Sequence, residues 1–300
     1  METILKTKNL TKKYGNKIAV NNVNMTINKG DIYGFIGKNG AGKTTLMKMV
    51  LSLTHQTSGN IELFGGKRNS KALKKVGSLI EAPGLYRGAT AYENMYRFSM
   101  IYGGNKEKIM ELLNLVGLAN VGNKKVKDFS LGMKQRLGIA VSLLGEPEFL
   151  VLDEPINGLD PAGIKEIRDI ILKLNKEKGI TFLISSHLLD ELSKVVTKYG
   201  IIDNGTLIEE VSSDDLINRC KNKLIITTKD SKKAKKVLSK IINDDDIIIN
   251  GNDIELLTNI DKGAEINKLL CENDIFASKI YPNLGSLEDY FIDKIGGMHE

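Results

Sequence analysis

One glycine-rich segment combines residue types and a spacing that suit the binding of a phosphate chain. Residues 37–44 read Gly-Lys-Asn-Gly-Ala-Gly-Lys-Thr and match the pattern G-x-x-x-x-G-K-[ST] between a predicted buried strand and a predicted helix. Glycines let backbone N–H groups curl around phosphate oxygens, and the helix start adds unpaired donors and a positive dipole end. A glycine-rich turn with an incidental lysine is the alternative, but the strand–loop–helix order favours a mononucleotide site.

Individual residues of this loop have expected roles. Lys43 is expected to reach the β- and γ-phosphates, the Thr44 hydroxyl to ligate Mg²⁺, and Thr45 to contact an inner phosphate. The other residues predicted to bind the nucleotide here are Gly37, Asn39, Gly40, Ala41 and Gly42.

Two adjacent carboxylates follow a second predicted strand. Phe149–Leu152 is entirely apolar and is followed by Asp153 and Glu154, which this strand delivers to the edge of the sheet where ligands of open α/β sheets bind. Asp153 is expected to bind Mg²⁺ directly or through water, and Glu154 to act as the general base on an attacking water. An Asp-Glu pair alone is as consistent with a turn or a helix cap, but the phosphate loop favours a hydrolytic role.

A histidine follows a third predicted strand, Ile180–Ser185. If this strand lies beside the others, His187 points toward the γ-phosphate, although a lone histidine at a strand end is more often structural. The other two histidines, His55 and His299, are interpreted as surface residues.

A second predicted anion-binding helix start lies far from the first in sequence. Residues 129–136 read Phe-Ser-Leu-Gly-Met-Lys-Gln-Arg, which places Ser130 and Gly132 just before a helix. One nucleotide cannot easily use two such cradles from one domain. The segment therefore predicts a head-to-tail dimer in which each subunit lends Ser130 and Gly132 to the γ-phosphate held by the other.

Composition places the chain among ordinary globular proteins. It has 300 residues, 41% hydrophobic and 27% charged, and a net charge of +6. The lysines are scattered in pairs along the chain, so no nucleic-acid partner is expected. The separated Cys220 and Cys271 predict neither a disulfide nor a zinc site, and neither a signal peptide nor an apolar membrane span is recognisable.

The pattern of elements predicts an α/β domain interrupted by helices. Short strands, among them Ile18–Val23 and Met25–Ile27, fill the first 80 residues or so apart from a helix at Gly42–Leu53. The pattern between Pro83 and Leu144 is helical. In that stretch we expect helices at Ala91–Tyr102, Lys106–Val116 and Met133–Leu144. Strands and helices then alternate to about Glu210.

The character of the chain changes at about Asp214. We expect a domain of residues 1–213 with its helical subdomain at about 83–144, and an accessory domain of residues 214–300. The second has a predicted β-α-β-β-α-β order, with a lysine-rich helix at Lys232–Ile242 and a last strand at Ile275–Ile280.

Together these motifs resemble the ATP-binding cassette (ABC) family over about the first 210 residues. Residues 37–44 match Walker A, Ser130–Gly132 the signature loop, and Asp153–Glu154 Walker B. The resemblance implies a P-loop NTPase fold of ABC type, a mixed sheet core with a helical insertion, to which this chain adds a small C-terminal α+β appendage.

The resemblance also implies roles that spacing alone does not show. Tyr14 matches the adenine-stacking aromatic, Asp160 lies in the matching D-loop (Asn157–Asp160), and His187 matches the switch histidine. The implied substrate is ATP with Mg²⁺, hydrolysed in a sandwich dimer of two copies that drives a separate membrane permease.

Two departures from the family pattern bear on turnover. In the signature, Leu131 replaces a glycine and Met133 a glutamine, so the turn is expected to be less free and turnover slower. At the Q-loop, Glu81 stands where the family places a glutamine that touches Mg²⁺ and the permease-facing loop. Glu81 is therefore a candidate metal-binding and catalytic residue; a solvated loop residue is the alternative.

Glu81 and the tail Ser286–Phe291 resemble the bacitracin and lantibiotic-immunity branch of the family. That branch implies an ATPase bound through its permease to the cytoplasmic face of the bacterial plasma membrane, serving export of or immunity to antimicrobial peptides. A soluble cassette acting on ribosomes or DNA is the alternative, disfavoured by the single cassette and the lack of a heptad run. A complex that senses peptides instead of transporting them remains a third hypothesis.

Overall fold

The computed structural model describes residues 2–220, 222–283 and 287–296. The chain folds as two compact units, Met1–Ser213 and Asp214–Glu300. Of the predicted tail, Ser286 lies outside the described residues, whereas Leu287 begins a helix.

The elements of the first unit alternate between strands and helices. They are β1 (Thr3–Tyr14), β2 (Lys17–Asn28), β3 (Ile32–Ile36), α1 (Lys43–Val50), β4 (Ser58–Leu63), β5 (Gly66–Lys67), α2 (Ser70–Leu73), β6 (Val76–Leu79), α3 (Ala91–Ser99), α4 (Lys106–Leu115), α5 (Leu131–Ser142), β7 (Phe149–Asp153), α6 (Pro161–Lys178), β8 (Thr181–Ser186), α7 (Leu189–Ser193), β9 (Lys198–Asp203) and β10 (Thr206–Ser212).

A six-stranded mixed sheet carries the nucleotide-binding motifs. Its strand order is β10-β9-β3-β8-β7-β6, with parallel pairing throughout except between β9 and β10. Every residue of β3 and β7 is buried, which explains why both sequences are apolar on each face. The parallel strands end at one edge, and this edge receives the phosphate loop, Asp153 and His187. The predicted fold class is confirmed.

A second, antiparallel sheet packs against the first through a shared core. Its order is β2-β1-β4-β5, and its apolar side chains join those of α1, β3 and β7 in one cluster. The sequence predicts two short strands at Ile18–Val23 and Met25–Ile27, but the structure has the single strand β2. Asn22 adopts a positive φ of 53°, and the register with β1 shifts nearby, so an irregularity inside one strand resembles a strand boundary in sequence.

Helices α3 to α5 form the predicted helical insertion. A capping box starts α3, where the Thr90 hydroxyl accepts from Glu93 N–H and the Glu93 carboxylate accepts from Thr90 N–H. The backbone hydrogen bond from Thr90, aided by Lys125, holds the pKa of Glu93 below its ordinary value. The helix ends at Ser99 and continues only as a 3₁₀ turn to Tyr102, so it is shorter than expected.

The second unit has the β-α-β-β-α-β order expected from its sequence. After α8 (Ser213–Arg219) its elements are β11 (Lys223–Thr227), α9 (Ser231–Leu238), β12 (Ile247–Asn250), β13 (Asp253–Leu256), α10 (Gly263–Cys271), β14 (Lys279–Asn283) and α11 (Leu287–Gly296). The sheet is antiparallel with order β12-β13-β11-β14, so β13 lies between β11 and β12 as in a split β-α-β unit.

Two predicted boundaries in this unit are wrong. The last strand begins at Lys279 and not at Ile275, because the Ile275 N–H donates to the Leu270 carbonyl and its side chain fills the core below α10. The lysine-rich helix ends at Leu238, four residues before the predicted Ile242. Apolar residues that follow a helix and pack against it cannot be distinguished in sequence from the start of a strand or from the last turn of the helix.

Gly77 allows α5 to lie close to the edge strand β6. A Cβ at this position would overlap the Ser142 carbonyl and come within 2.6 Å of a Leu150 methyl group. We predict that Gly77→Ala lowers the free energy of unfolding of the first unit by about 1–3 kcal/mol through overpacking.

Gly66→Ala in strand β5 is the matched control, because the nearest atom to a Cβ added there, the Leu63 carbonyl oxygen, is 3.9 Å away. Chemical denaturation of both variants checks the prediction. Equal stability of the two would show that the approach of α5 to β6 is not limited by this glycine.

Candidate functional site

Three glycines shape the loop between β3 and α1. A Cβ at Gly37 would overlap the Ile202 carbonyl, and one at Gly42 the Ala19 carbonyl. Gly40 and Gly42 also have positive φ values of 84° and 108°. Ala41 faces inward: its side chain joins the core and its N–H donates to the Lys38 carbonyl.

Lys43, the first residue of α1, is held inside the loop that precedes it. Its side chain is only 5% exposed, and Nζ donates to the Gly37 carbonyl at 2.6 Å. The same ammonium group lies 3.2 Å from Glu154 Oε1. A buried cation needs such partners, and phosphate oxygens offer the same chemistry.

The hydroxyl of Thr44 and the carboxylate of Asp153 meet across the sheet edge. Thr44 Oγ1 donates to Asp153 Oδ2 at 2.8 Å, and Ser185 Oγ donates to Asp153 Oδ1 at 2.6 Å. Mg²⁺ is usually held by one or two protein oxygens together with waters and substrate phosphates. Two hard oxygens beside a phosphate-shaped loop fit that ion.

Glu154 and His187 form the second half of the site. His187 Nδ1 lies 2.8 Å from Glu154 Oε2, while Glu154 N–H donates to Ser185 Oγ at 2.9 Å. Glu154 has a positive φ of 48°, an uncommon conformation for a side-chain-bearing residue. Its Oε1 is buried, and within the described part of the chain the Lys43 ammonium group is the one donor near it. A carboxylate fixed beside the phosphate loop suits a general base, and its Oε1 becomes free to accept a proton if Lys43 turns to phosphate oxygens.

The loop and Glu154 line a cleft of about 340 Å³. Its lining includes these predicted nucleotide-binding residues: Tyr14, Asn39, Gly40, Gly42, Lys43, Thr44 and Thr45. The Tyr14 ring is half exposed, with the Lys12 ammonium group 4.7 Å from its centroid. An exposed aromatic face at the mouth of the cleft suits stacking on a purine.

Ser130 and Asp160 lie at two other helix starts and cap them. Ser130 Oγ accepts from Met133 N–H at 3.2 Å at the start of α5, and Asp160 Oδ1 accepts from Gly163 N–H at 3.0 Å at the start of α6. Neither residue lines the cleft around Lys43. Their predicted contact with nucleotide is therefore one that a second copy would make.

The conformation of the signature turn does not require glycine at Leu131, and slower turnover stays a prediction. Leu131 is the first helical residue of α5, follows the extended cap Ser130, and has no positive φ that would require glycine. Gly132 is likewise inside the helix, with space around its Cα. The Leu131 side chain is 45% exposed and close to Gly158.

Glu81 follows β6 in a strained conformation and pairs with a residue that sequence reasoning missed. Its φ is 61°, and its carboxylate lies 2.5 Å from Lys48 Nζ. Lys48 is one helical turn beyond Thr44 on α1. The structure thus brings Glu81 to the nucleotide-binding helix through Lys48, and direct metal contact by Glu81 stays a prediction.

Ser185 is the other missed residue. It is the penultimate residue of β8, is fully buried, donates to the Asp153 carboxylate and accepts from the Glu154 backbone N–H. The sequence signal for Ser185 is only a polar residue at the end of an apolar strand, two positions before His187, and this signal does not say which groups it contacts.

Comparison with known proteins supplies the family. The family model described as ABC transporter matches residues 20–157. The bacitracin transport ATP-binding protein BcrA of Bacillus licheniformis is 45% identical over 99% of this chain and 99% of its own length. The chain belongs to the ABC transporter family. It is an ATP-binding cassette, and therefore an ATPase whose turnover is coupled to transport.

Two further proteins are each similar to about 70% of this chain. The lantibiotic transport ATP-binding protein SrtF of Streptococcus pyogenes is 48% identical over 70% of this chain and 92% of its own length. A solved dimeric cassette in a post-hydrolysis state, bound to ADP and Pi, is 25% identical with a TM-score of 0.62, covering 70% of this chain and 99% of that chain. Cassettes of this fold therefore dimerise and bind nucleotide.

We predict that Ser185→Ala reduces the ATPase kcat of the cassette by about 10- to 100-fold, because Asp153 loses the donor that orients it. The half-saturating Mg²⁺ concentration should rise in the same assay.

Ser142→Ala is the matched control, since its hydroxyl donates only to the Ile139 carbonyl within α5. Its kcat should stay within about twofold of wild type. A Ser185→Ala enzyme with unchanged Mg²⁺ dependence would contradict the positioning role.

Proposed function

We propose that this cassette hydrolyses ATP to drive a separate membrane permease that exports, or confers immunity to, bacitracin- or lantibiotic-type peptides. The observation that carries the proposal is the similarity to BcrA over 99% of both chains. SrtF matches only 70% of this chain, whereas the BcrA alignment also includes the C-terminal unit. The bacitracin relatives are thus the better guide to substrate class, and action on ribosomes or DNA is not favoured.

The residues around the cleft support a hydrolytic sequence of events. Lys43 and the loop N–H groups bind the β- and γ-phosphates, and Thr44 with Asp153 would hold Mg²⁺, which would offset phosphate charge. Glu154 takes a proton from water as its oxygen attacks the γ-phosphorus and the bond to the β-phosphate oxygen breaks, releasing ADP. His187 holds Glu154 in position through its 2.8 Å contact.

A second copy completes the site in this proposal. Ser130 and Gly132 start α5 away from the cleft, so they meet a γ-phosphate only when another copy docks head to tail. Asp160, at the start of α6, belongs to the same trans surface. The helix dipole and free N–H groups at these starts favour a phosphate anion.

The membrane attachment in this proposal comes from the permease. Among the described residues, no helix is long and apolar enough to cross a membrane. Because the chain is similar to transport ATP-binding proteins, we place it peripherally at the cytoplasmic face of the plasma membrane, held there by its permease. Glu81, on the loop after β6, is the residue that would link metal, α1 and permease through its pair with Lys48.

We predict that Glu154→Gln reduces steady-state hydrolysis by about 10²–10⁴-fold, because the amide cannot accept the proton. ATP binding should persist, and an ATP-dependent dimer should accumulate in size-exclusion chromatography.

Glu148→Gln is the matched control: this glutamate lies just before the opposite end of the same strand and pairs with Lys75 at the surface. Hydrolysis at the wild-type rate by Glu154→Gln would exclude Glu154 as the base.

The permease and the peptide class are tested in one resistance experiment. Cells that express the cassette with a candidate permease should hold it in the membrane fraction and tolerate bacitracin or a lantibiotic better than cells lacking it. We predict that Glu81→Gln keeps ATP binding but changes this resistance, because the Lys48 contact loses its charge.

Glu107→Gln, an exposed change in the first turn of α4, is the control. Unchanged resistance with Glu81→Gln would assign Glu81 to a solvated loop role. Co-sedimentation with ribosomes and absence from membranes with every permease would reject the transport proposal.

A further inference from the structure

The solvent side of α9 in the second unit carries a row of lysines. Lys232, Lys233 and Lys236 are exposed on this helix, with exposed Lys229 just before it and Lys240 just after it. At about 100° of rotation per residue, the three helical lysines fall within one arc of about 100°. The sequence suggests lysines scattered in pairs, but the helix gathers them on one face.

The opposite side of α9 fixes this lysine face in place. Ala234, Val237 and Leu238 are buried in the core of the second unit. Lys235, between the two faces, donates to the Ile247 carbonyl at 3.0 Å. The apolar side of the helix is packed in the core of this unit. A partner of the lysine face would therefore bind it through charge.

Charge in the second unit is segregated. Residues 214–300 contain 13 Lys and Arg against 16 Asp and Glu, a net charge of −3. Yet residues 229–240 hold six lysines and only Asp230 as an acid. Soluble surfaces usually intersperse the two signs. Within the described ranges, no ion pair engages the five lysines of this face.

We propose that the lysine face of α9, formed by Lys229, Lys232, Lys233, Lys236 and Lys240, binds an anionic phospholipid surface. Ammonium groups are compact, strongly hydrated charges that suit a diffuse layer of negative headgroups. Nucleic-acid sites generally add arginine forks or stacking aromatics, and this face has neither. Exposed Ile241 adjoins Lys240 and offers an apolar contact at the end of the row.

The choice of lipid as the anion rests on the proposed attachment to a membrane permease, and the lysine face would add a second, permease-independent contact. The full-length protein without permease is tested by co-sedimentation with vesicles of phosphatidylcholine alone or with about a third phosphatidylglycerol. Wild type should bind only the anionic vesicles, and binding should weaken steeply as salt rises.

The variant that tests the surface is Lys232→Gln/Lys233→Gln/Lys236→Gln. Its affinity for anionic vesicles should fall by a factor on the order of 100, as expected for three lysines near such a surface. The matched control removes the same charge from exposed lysines of the first unit, Lys67→Gln/Lys71→Gln/Lys74→Gln, and should bind within about twofold of wild type. Both variants should keep the wild-type thermal midpoint and ATPase rate.

Several outcomes would overturn this proposal. These are vesicle binding by the α9 variant equal to that of wild type, no binding of wild type to anionic vesicles, or equal binding to neutral ones. Tighter binding of a labelled single-stranded oligonucleotide, lost in the same variant, would assign the face to nucleic acid. Because the vesicle test needs neither ATP nor permease, its failure leaves the proposed transport function standing, and failure of the resistance experiment leaves the vesicle result intact.

Discussion

Burial of the Lys43 ammonium group constrains the rest of the nucleotide site. A cation that is 5% exposed requires oxygen partners, and it finds them in the Gly37 carbonyl and the Glu154 carboxylate. Glu154 can be there only because β7 ends at this edge of the sheet, and Ser185 and His187 fix its backbone and side chain. The phosphate loop, the carboxylates of Asp153 and Glu154, and the end of β8 therefore act as one electrostatic unit.

The parts of this unit that the sequence predicts share one property: each follows a strand whose two faces are buried. β3 and β7 are apolar at every position, so the change to Gly37 after one, and to Asp153 and Glu154 at the end of the other, is abrupt. Parallel pairing of β3, β8 and β7 then brings the three strand ends together without further information. The phosphate loop, the carboxylate pair and His187 are accordingly predictable from residue order alone.

The parts that the sequence does not predict are contacts between segments with no shared periodicity. Lys48 and Glu81 are 33 positions apart, and neither belongs to a pattern that indicates the other. Ser185 has the same limitation, because a serine in a strand is bland until β7 is known to lie beside it. In the second unit, Ile275 packs in the core but does not belong to a strand. Its apolar side chain therefore made the predicted start of β14 too early.

The start of α5 offers a structural basis for the proposed dimer in addition to the family resemblance. A helix cannot satisfy the N–H groups of its own first residues. Ser130 caps that of Met133, which leaves those of Leu131 and Gly132 for another acceptor. Ser130 and Leu131 are exposed, so water can meet these N–H groups in a single copy. In the proposed dimer, a γ-phosphate held by a second cassette would replace that water, and ATP would then be part of the interface.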